Sequence, residues 1–211
     1  MPNLALLGGK PVRSEMFAHD NSIGEEEKQA VIRVLESGNL SQYVGSWNKD
    51  FFGGPFVRQF EKDWAESSGA EFSIAVNSNT SGLYACIGAC DIGPGDEVIV
   101  SPYTMTAGAI APLIYGAVPV FADIEEDTFC LDPKSIEANI TPRTKAILVV
   151  HICGHPTEMD EVMSIAKKHN LKVIEDCAQS PMSTYKGRKV GTIGDAGIFS
   201  LNYHKHIHTG E

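Results

Sequence analysis

The chain has 211 residues, with 17 Lys plus Arg against 27 Asp plus Glu and a formal net charge of −10. That length suits one large domain or two small ones and can bury roughly 70% of the unfolded surface. A composition 43% hydrophobic and 21% charged excludes disorder, and the acidic balance argues against nucleic acid or an anionic membrane surface as the main partner. The longest apolar run, Gly108 to Ala122, is broken by Pro112 and Pro119, so no membrane span is expected. The first residues, MPNLALLGGKPVR, lack the basic start and long apolar stretch of a secretory signal. The expectation is a soluble, cytoplasmic protein. Its five cysteines, Cys86, Cys90, Cys130, Cys153 and Cys177, form no CxxC pair and read as reduced, buried thiols.

In chain order, NSIGEEEKQAVIRVLESGNL predicts a helix capped by Ser22 or Asn21, with acids at its positive end and Gly38 as its stop. A Gly- and aromatic-rich connector, SWNKDFFGGPF, leads to a second helix over VRQFEKDWAES that ends before Gly69. From Phe72 the pattern changes. FSIAV, EVIVS, VPVFAD, KAILVVH and KVIEDC are short apolar runs of strand type. Between them SGLYACIGACDI, TAGAIAPLIYG, PKSIEANI and EMDEVMSIAKKHN read as helices. Apolar strands alternating with helices predict an α/β fold with a mostly parallel sheet covered on both faces. Two regions follow: an N-terminal helical segment and loop over 1–70, and a larger sheet domain over 71–211. Such sheets bind ligands in the loops at the carboxyl ends of their strands.

Three strand ends carry more polar residues than packing needs. In AVNSNTSGLYA, hydroxyls and unpaired amides at a helix start form an anion site, with a plain N-cap as the structural alternative. In KVIEDCAQS, Asp176 closes an apolar strand and Gln179 follows. A carboxylate there needs a cationic or hydrogen-bonding partner, such as a protonated cofactor ring nitrogen; a loop-capping role is equally open. In GDAGIFSLNYHKHIHTGE, Ser200 precedes Lys205. Lysine forms a Schiff base with an aldehyde. The alternating His204, His206 and His208 offer a metal alternative, but no carboxylate or Cys besides Glu211 completes a ligand set. His151 and His155 flank Gly154 at another strand end and read as structural or substrate-facing.

NSNTSGLYA, GPGDEVIVSPYTMTA, GAVPVFADI, ITPRTKAILVVH, VIEDCAQS, YKGRKVGTIGD and FSLNYHKHIHTGE together resemble the DegT/StrS group of sugar aminotransferases, from about Gly8 to the end of the chain. The resemblance implies the aspartate-aminotransferase-like large domain (PLP fold type I), without the C-terminal small domain with which family members continue. It implies pyridoxal 5'-phosphate (PLP) as cofactor, held by Lys205, with Asp176 on the ring nitrogen and Gln179 near the 3-oxygen. Thr80, Ser81 and Ser200 fall on the phosphate contacts. The ring-covering position, usually aromatic, falls on Met105, with Tyr103 close by, and no metal is implied. The implied reaction moves an amino group from a donor such as L-glutamate or glutamine to a nucleotide-linked keto sugar, in a homodimer with shared active sites. A dehydratase branch of the group has His in place of the lysine; counting from Phe199-Ser200 puts Lys205 at that position. An inactive large-domain fragment that binds PLP at most, and a metal module on the terminal histidines, are the other expectations.

Overall fold

A computed structural model describes residues 3–16 and 22–210. It divides into two compact units, Met1–Gly54 and Pro55–Glu211. In the first, α1 spans Glu25–Glu36. Gly24 stands at its N-cap and donates its amide to the Glu27 carboxylate at 2.6 Å. The expected Ser22 cap is therefore displaced; Asn21 lies outside the described residues. Three consecutive acids in the first turn supply at the positive helix end what a capping hydroxyl would have given. In the loop beyond, Trp47, Phe51 and Phe52 form an aromatic cluster, the Trp47 and Phe51 rings stacked with centroids 4.3 Å apart.

The second unit begins with α2 (Pro55–Ser68) and α3 (Asn79–Ala89), then alternates β1 (Glu97–Val100), α4 (Ala107–Ile114), β2 (Val118–Phe121), α5 (Pro133–Ala138), β3 (Thr144–Val150), α6 (Met159–His169) and β4 (Lys172–Asp176). A short hairpin, β5 (Thr184–Tyr185) with β6 (Arg188–Lys189), precedes β7 (Ala196–Ile198). Five strands form one sheet in the order β2-β1-β3-β4-β7, every neighbour pair parallel. Along β3, Ala146, Leu148 and Val150 join the core beneath α3 and α4, whereas Ile147 and Val149 join the core shared with α5 and α6. The period of two thus loads both faces with apolar side chains, as a parallel sheet between helical layers requires.

Two expectations change. Phe72–Val76 forms no strand, because no described segment pairs with it. It is held instead by α2: Ser73 Oγ donates to the Glu61 carbonyl and the Ala75 amide to Glu61 Oε1, leaving Phe72, Ile74 and Val76 exposed. The hairpin was not expected. Lys186 and Gly187, at φ of 49° and 81°, give the two left-handed positions of a tight turn that matches strand twist.

A buried carboxylate paired with an exposed arginine clamps the start of β1. Glu97 is 3% exposed and accepts from the Thr141 and Thr144 hydroxyls and from Arg143, whose Nε lies 2.9 Å away. The Thr141 hydroxyl, then Arg143, hold its carboxyl below the ordinary 4.5 against the upward push of burial. A depressed carboxyl stabilises the fold above the unfolded pKa and loses that contribution as pH falls through the folded one. Acid titration of stability should therefore show a shallower decline below about pH 4.5 in Glu97→Gln than in the native chain; parallel declines would contradict this account.

Candidate active site

Every candidate side chain lies in the second unit, at the end of a strand or on a loop or helix start. α3 opens with Ser78 as N-cap, its hydroxyl accepting the Ser81 amide at 3.1 Å. The cap alternative raised by the sequence is thus realised at Ser78. It leaves Thr80 and Ser81 in the first turn, half-buried, where the leading amides have no acceptor within the helix. Asn79, the first residue of α3, reaches across to β4 and donates its side-chain amide to Asp176 Oδ1 at 3.4 Å.

Asp176 ends β4 at 7% exposure, and the same Oδ1 accepts the Ala178 amide at 3.0 Å. Burial pushes its carboxyl above the ordinary value; the Ala178 and Asn79 bonds, the charge of Lys205 and then His151 oppose this only in part. A buried acid so placed favours a cationic ligand, because a nearby positive charge offsets its desolvation. Lys205 is half-buried after β7, its amide donating to the Asn202 carbonyl at 2.8 Å. Ser200 lies between, its hydroxyl accepting the Asn202 amide at 3.4 Å.

Gln179 Oε1 accepts the Cys153 amide at 2.8 Å, which commits the amide oxygen and leaves the NH₂ to face a ligand acceptor. Met105 sits on the loop after β1 at 71% exposure. Tyr103, on the same loop, turns its ring against Phe129 at 5.3 Å. The structure therefore joins Asp176 to the first turn of α3, fixes Gln179 through the loop after β3, and leaves Met105 open.

Two partners were not legible as such. Asn79 was visible only as one of a run of small polar residues, and its bond to Asp176 spans 97 positions. Glu175, adjacent to Asp176, is fully buried on the opposite sheet face and accepts from four donors: the His151 ring at 3.0 Å and the amides of Gly191, Ile193 and Gly194 at 2.7–2.8 Å. Its only signal was a second acid inside an apolar strand. Burial pushes its carboxyl up, but the bonds from His151, Gly194 and Gly191 outweigh that and leave it below the ordinary value.

His151, Glu175 and Cys177 bring three potential metal-ligand atoms within 4.8 Å of one another. Their chemistry is against a metal. The Thr157 amide donates to His151 Nδ1 at 3.1 Å, so the remaining ring nitrogen carries the proton given to Glu175. Glu175 has its four acceptor positions filled. Burial, then the charges of Glu175 and Asp176, push the Cys177 thiol well above its usual range, so it stays protonated.

The sequence profile of the DegT/DnrJ/EryC1/StrS aminotransferase family matches residues 21–211. The spore coat polysaccharide biosynthesis protein SpsC of Bacillus subtilis is 47% identical over 189 residues, covering 90% of this chain and 46% of that protein. GDP-perosamine synthase of Caulobacter vibrioides is 46% identical over 158 residues, 75% of this chain and 43% of the synthase. Among solved structures, an aminotransferase from Psychrobacter cryohalolentis superposes with a TM-score of 0.84 at 42% identity, over 92% of this chain and 47% of that one. The PLP form of a putative sugar aminotransferase from Streptococcus pneumoniae superposes with a TM-score of 0.79 at 29% identity, over 90% and 50% respectively. The chain belongs to the DegT/DnrJ/EryC1/StrS aminotransferase family and has the PLP fold type I architecture of its neighbours. It spans about half the length of the curated relatives it matches.

The burial pattern makes the thiols a direct check on the site. Cys153 is exposed, against the expected burial of all five thiols, because it stands in the turn after β3, whereas Cys177 is buried. Ellman's reagent should therefore titrate Cys153 in the folded protein and reach Cys177 only with denaturant, with or without added zinc. Early modification of Cys177, or its protection by zinc, would contradict the geometry.

Proposed function

We propose that this chain is the cofactor-binding portion of a PLP-dependent aminotransferase acting on a nucleotide-linked keto sugar, with an amino acid such as L-glutamate or glutamine as donor. The observation that carries the reading is the convergence on Asp176. A buried carboxylate with a raised pKa stands within the field of Lys205 and in contact with the first residue of a polar helix start. This donor set fits the three parts of PLP: an aldehyde for an amine, a basic ring nitrogen for a carboxylate, and a phosphate for hydroxyls and helix-start amides.

Bound PLP would supply an electron sink for the negative charge that develops at the donor's Cα. The protein side is the work of named groups. Lys205 Nζ would hold the cofactor covalently, and its amine, once free, would serve as the group that takes and returns the proton of the donor's Cα. Asp176 would be the carboxylate that pairs with the ring nitrogen and favours its protonated form. Thr80, Ser81 and Ser200 would hold the phosphate, the Gln179 NH₂ would donate to the 3-oxygen, and Met105 would offer its polarisable thioether to the ring. Lys205, in place of a histidine, favours transamination over the dehydratase branch.

GDP-perosamine synthase among the relatives supports a nucleotide-sugar substrate. The relatives' greater length supports a working protein longer than this chain, and we place it in a homodimer with shared sites. Five free cysteines support a reducing, cytoplasmic setting, and no helix among the described residues is long and apolar enough to cross a membrane.

Incubation of the full-length protein with PLP, borohydride reduction and peptide mapping test the reading. The label should sit on Lys205. Lys205→Ala should lose the label, the visible absorbance and turnover together. Undiminished labelling at Lys145, Lys186 or Lys189 in that variant would place the covalent link elsewhere.

A further inference from the structure

Glu175 has no part in the chemistry above, yet it is the most heavily bonded side chain near it. An ionised carboxylate buried in a protein is costly unless its lone pairs are filled. Here all four donors are neutral: three amides of one loop and a histidine ring whose other nitrogen already accepts from Thr157. A backbone carbonyl could hold one or two of these donors. One carboxylate holds all four, and so ties the end of β3 and the 191–194 loop to β4 at a single point.

That loop is the entry to β7, the strand from which the chain runs on to Ser200 and Lys205. It has no slack. A Cβ on Gly194 would lie 2.6 Å from the Val173 carbonyl oxygen, and one on Gly197 would lie 2.1 Å from the Gly191 carbonyl oxygen. Asp195 adds a second tie, its amide donating to the Val173 carbonyl and its carboxylate accepting the Val173 amide. Beyond it, β7 registers Ala196 against Ile174 and Ile198 against Asp176, and the Cys177 amide donates to the Ile198 carbonyl at 2.8 Å. His151 closes the circuit, its ring on Glu175 and its backbone amide on the Asp176 carbonyl at 3.2 Å.

We propose that Glu175 is a positioning residue: by gathering the 191–194 amides and the His151 ring, it fixes the height at which the chain enters β7, and so where Ser200 and Lys205 stand relative to Asp176. The proposal rests on the reading of Lys205 as the PLP-binding lysine. Glu175 and Asp176 then divide the labour of one strand end, one facing the cofactor and the other the segment that delivers the lysine.

Glu175→Gln removes the charge and turns an NH₂ toward donors. In the full-length protein, amide hydrogen exchange at Gly191, Ile193 and Gly194 should accelerate at least about tenfold. With PLP bound, Lys205 should still take the borohydride label, but more slowly, and the pH midpoint of its visible absorbance should shift. A purely structural role would lower the melting temperature and leave that midpoint in place. Faster exchange with native midpoint and labelling rate overturns the proposal, as does unchanged exchange. Absence of label on Lys205 in the native protein would instead sink the PLP reading itself, and the proposal with it. Should Glu175→Gln not fold, Glu175→Asp, which keeps the charge but draws it back by one methylene, is read on the same scales with the same outcomes.

Discussion

Two adjacent carboxylates at the end of β4 organise what surrounds them. Because strand side chains alternate, Asp176 falls on the face covered by α3 and Glu175 on the face covered by α6. Each carries the desolvation cost of burial, and each meets it differently. Glu175 fills its lone pairs with four neutral donors and settles below the ordinary carboxyl range. Asp176 receives two bonds, both on one oxygen, and remains above the ordinary range. The first is complete without a ligand. The second is left wanting positive charge, which is the property a cofactor's ring nitrogen would use.

The fold follows from keeping that strand end dry on both sides. Ile174 packs beneath α3 and α4 and Val173 beneath α5 and α6, so β4 reaches its last two residues with little water on either face. Parallel topology then brings the carboxyl ends of β1, β3, β4 and β7 to one edge. Loops from distant parts of the chain meet there. The Cys153 amide donates to Gln179, His151 bonds the Glu175 carboxylate through its ring and the Asp176 carbonyl through its amide, and the Cys177 amide donates to the Ile198 carbonyl.

Much of this was legible in the sequence, for reasons that particular residues make plain. β1, β3 and β4 have apolar stretches at residues 98–100, 146–150 and 173–174, as burial on two faces requires. Asp176 stood out because packing has no use for a carboxylate at a strand mouth. The failures share one cause, which is that the deciding partner lies far away in the chain. Phe72–Val76 has strand composition but no strand beside it, and composition cannot report a missing neighbour. Ala196–Ile198, short and carrying a glycine, has weak strand character, yet pairing with β4 makes it one. Asn79 looked like part of an anion-binding turn until its reach to Asp176 was visible. Glu175 could not be told from Asp176 by sequence, because which acid faces which layer depends on register.

The measurement closest to the central claim is a carbon-13 NMR titration of the Asp176 carboxyl in the full-length protein, run with and without PLP. The account predicts a midpoint above the ordinary aspartate value of 3.8 in the free protein. With PLP bound it predicts a fall well below that, as the buried acid acquires its cation. A midpoint that does not move on adding PLP would contradict it.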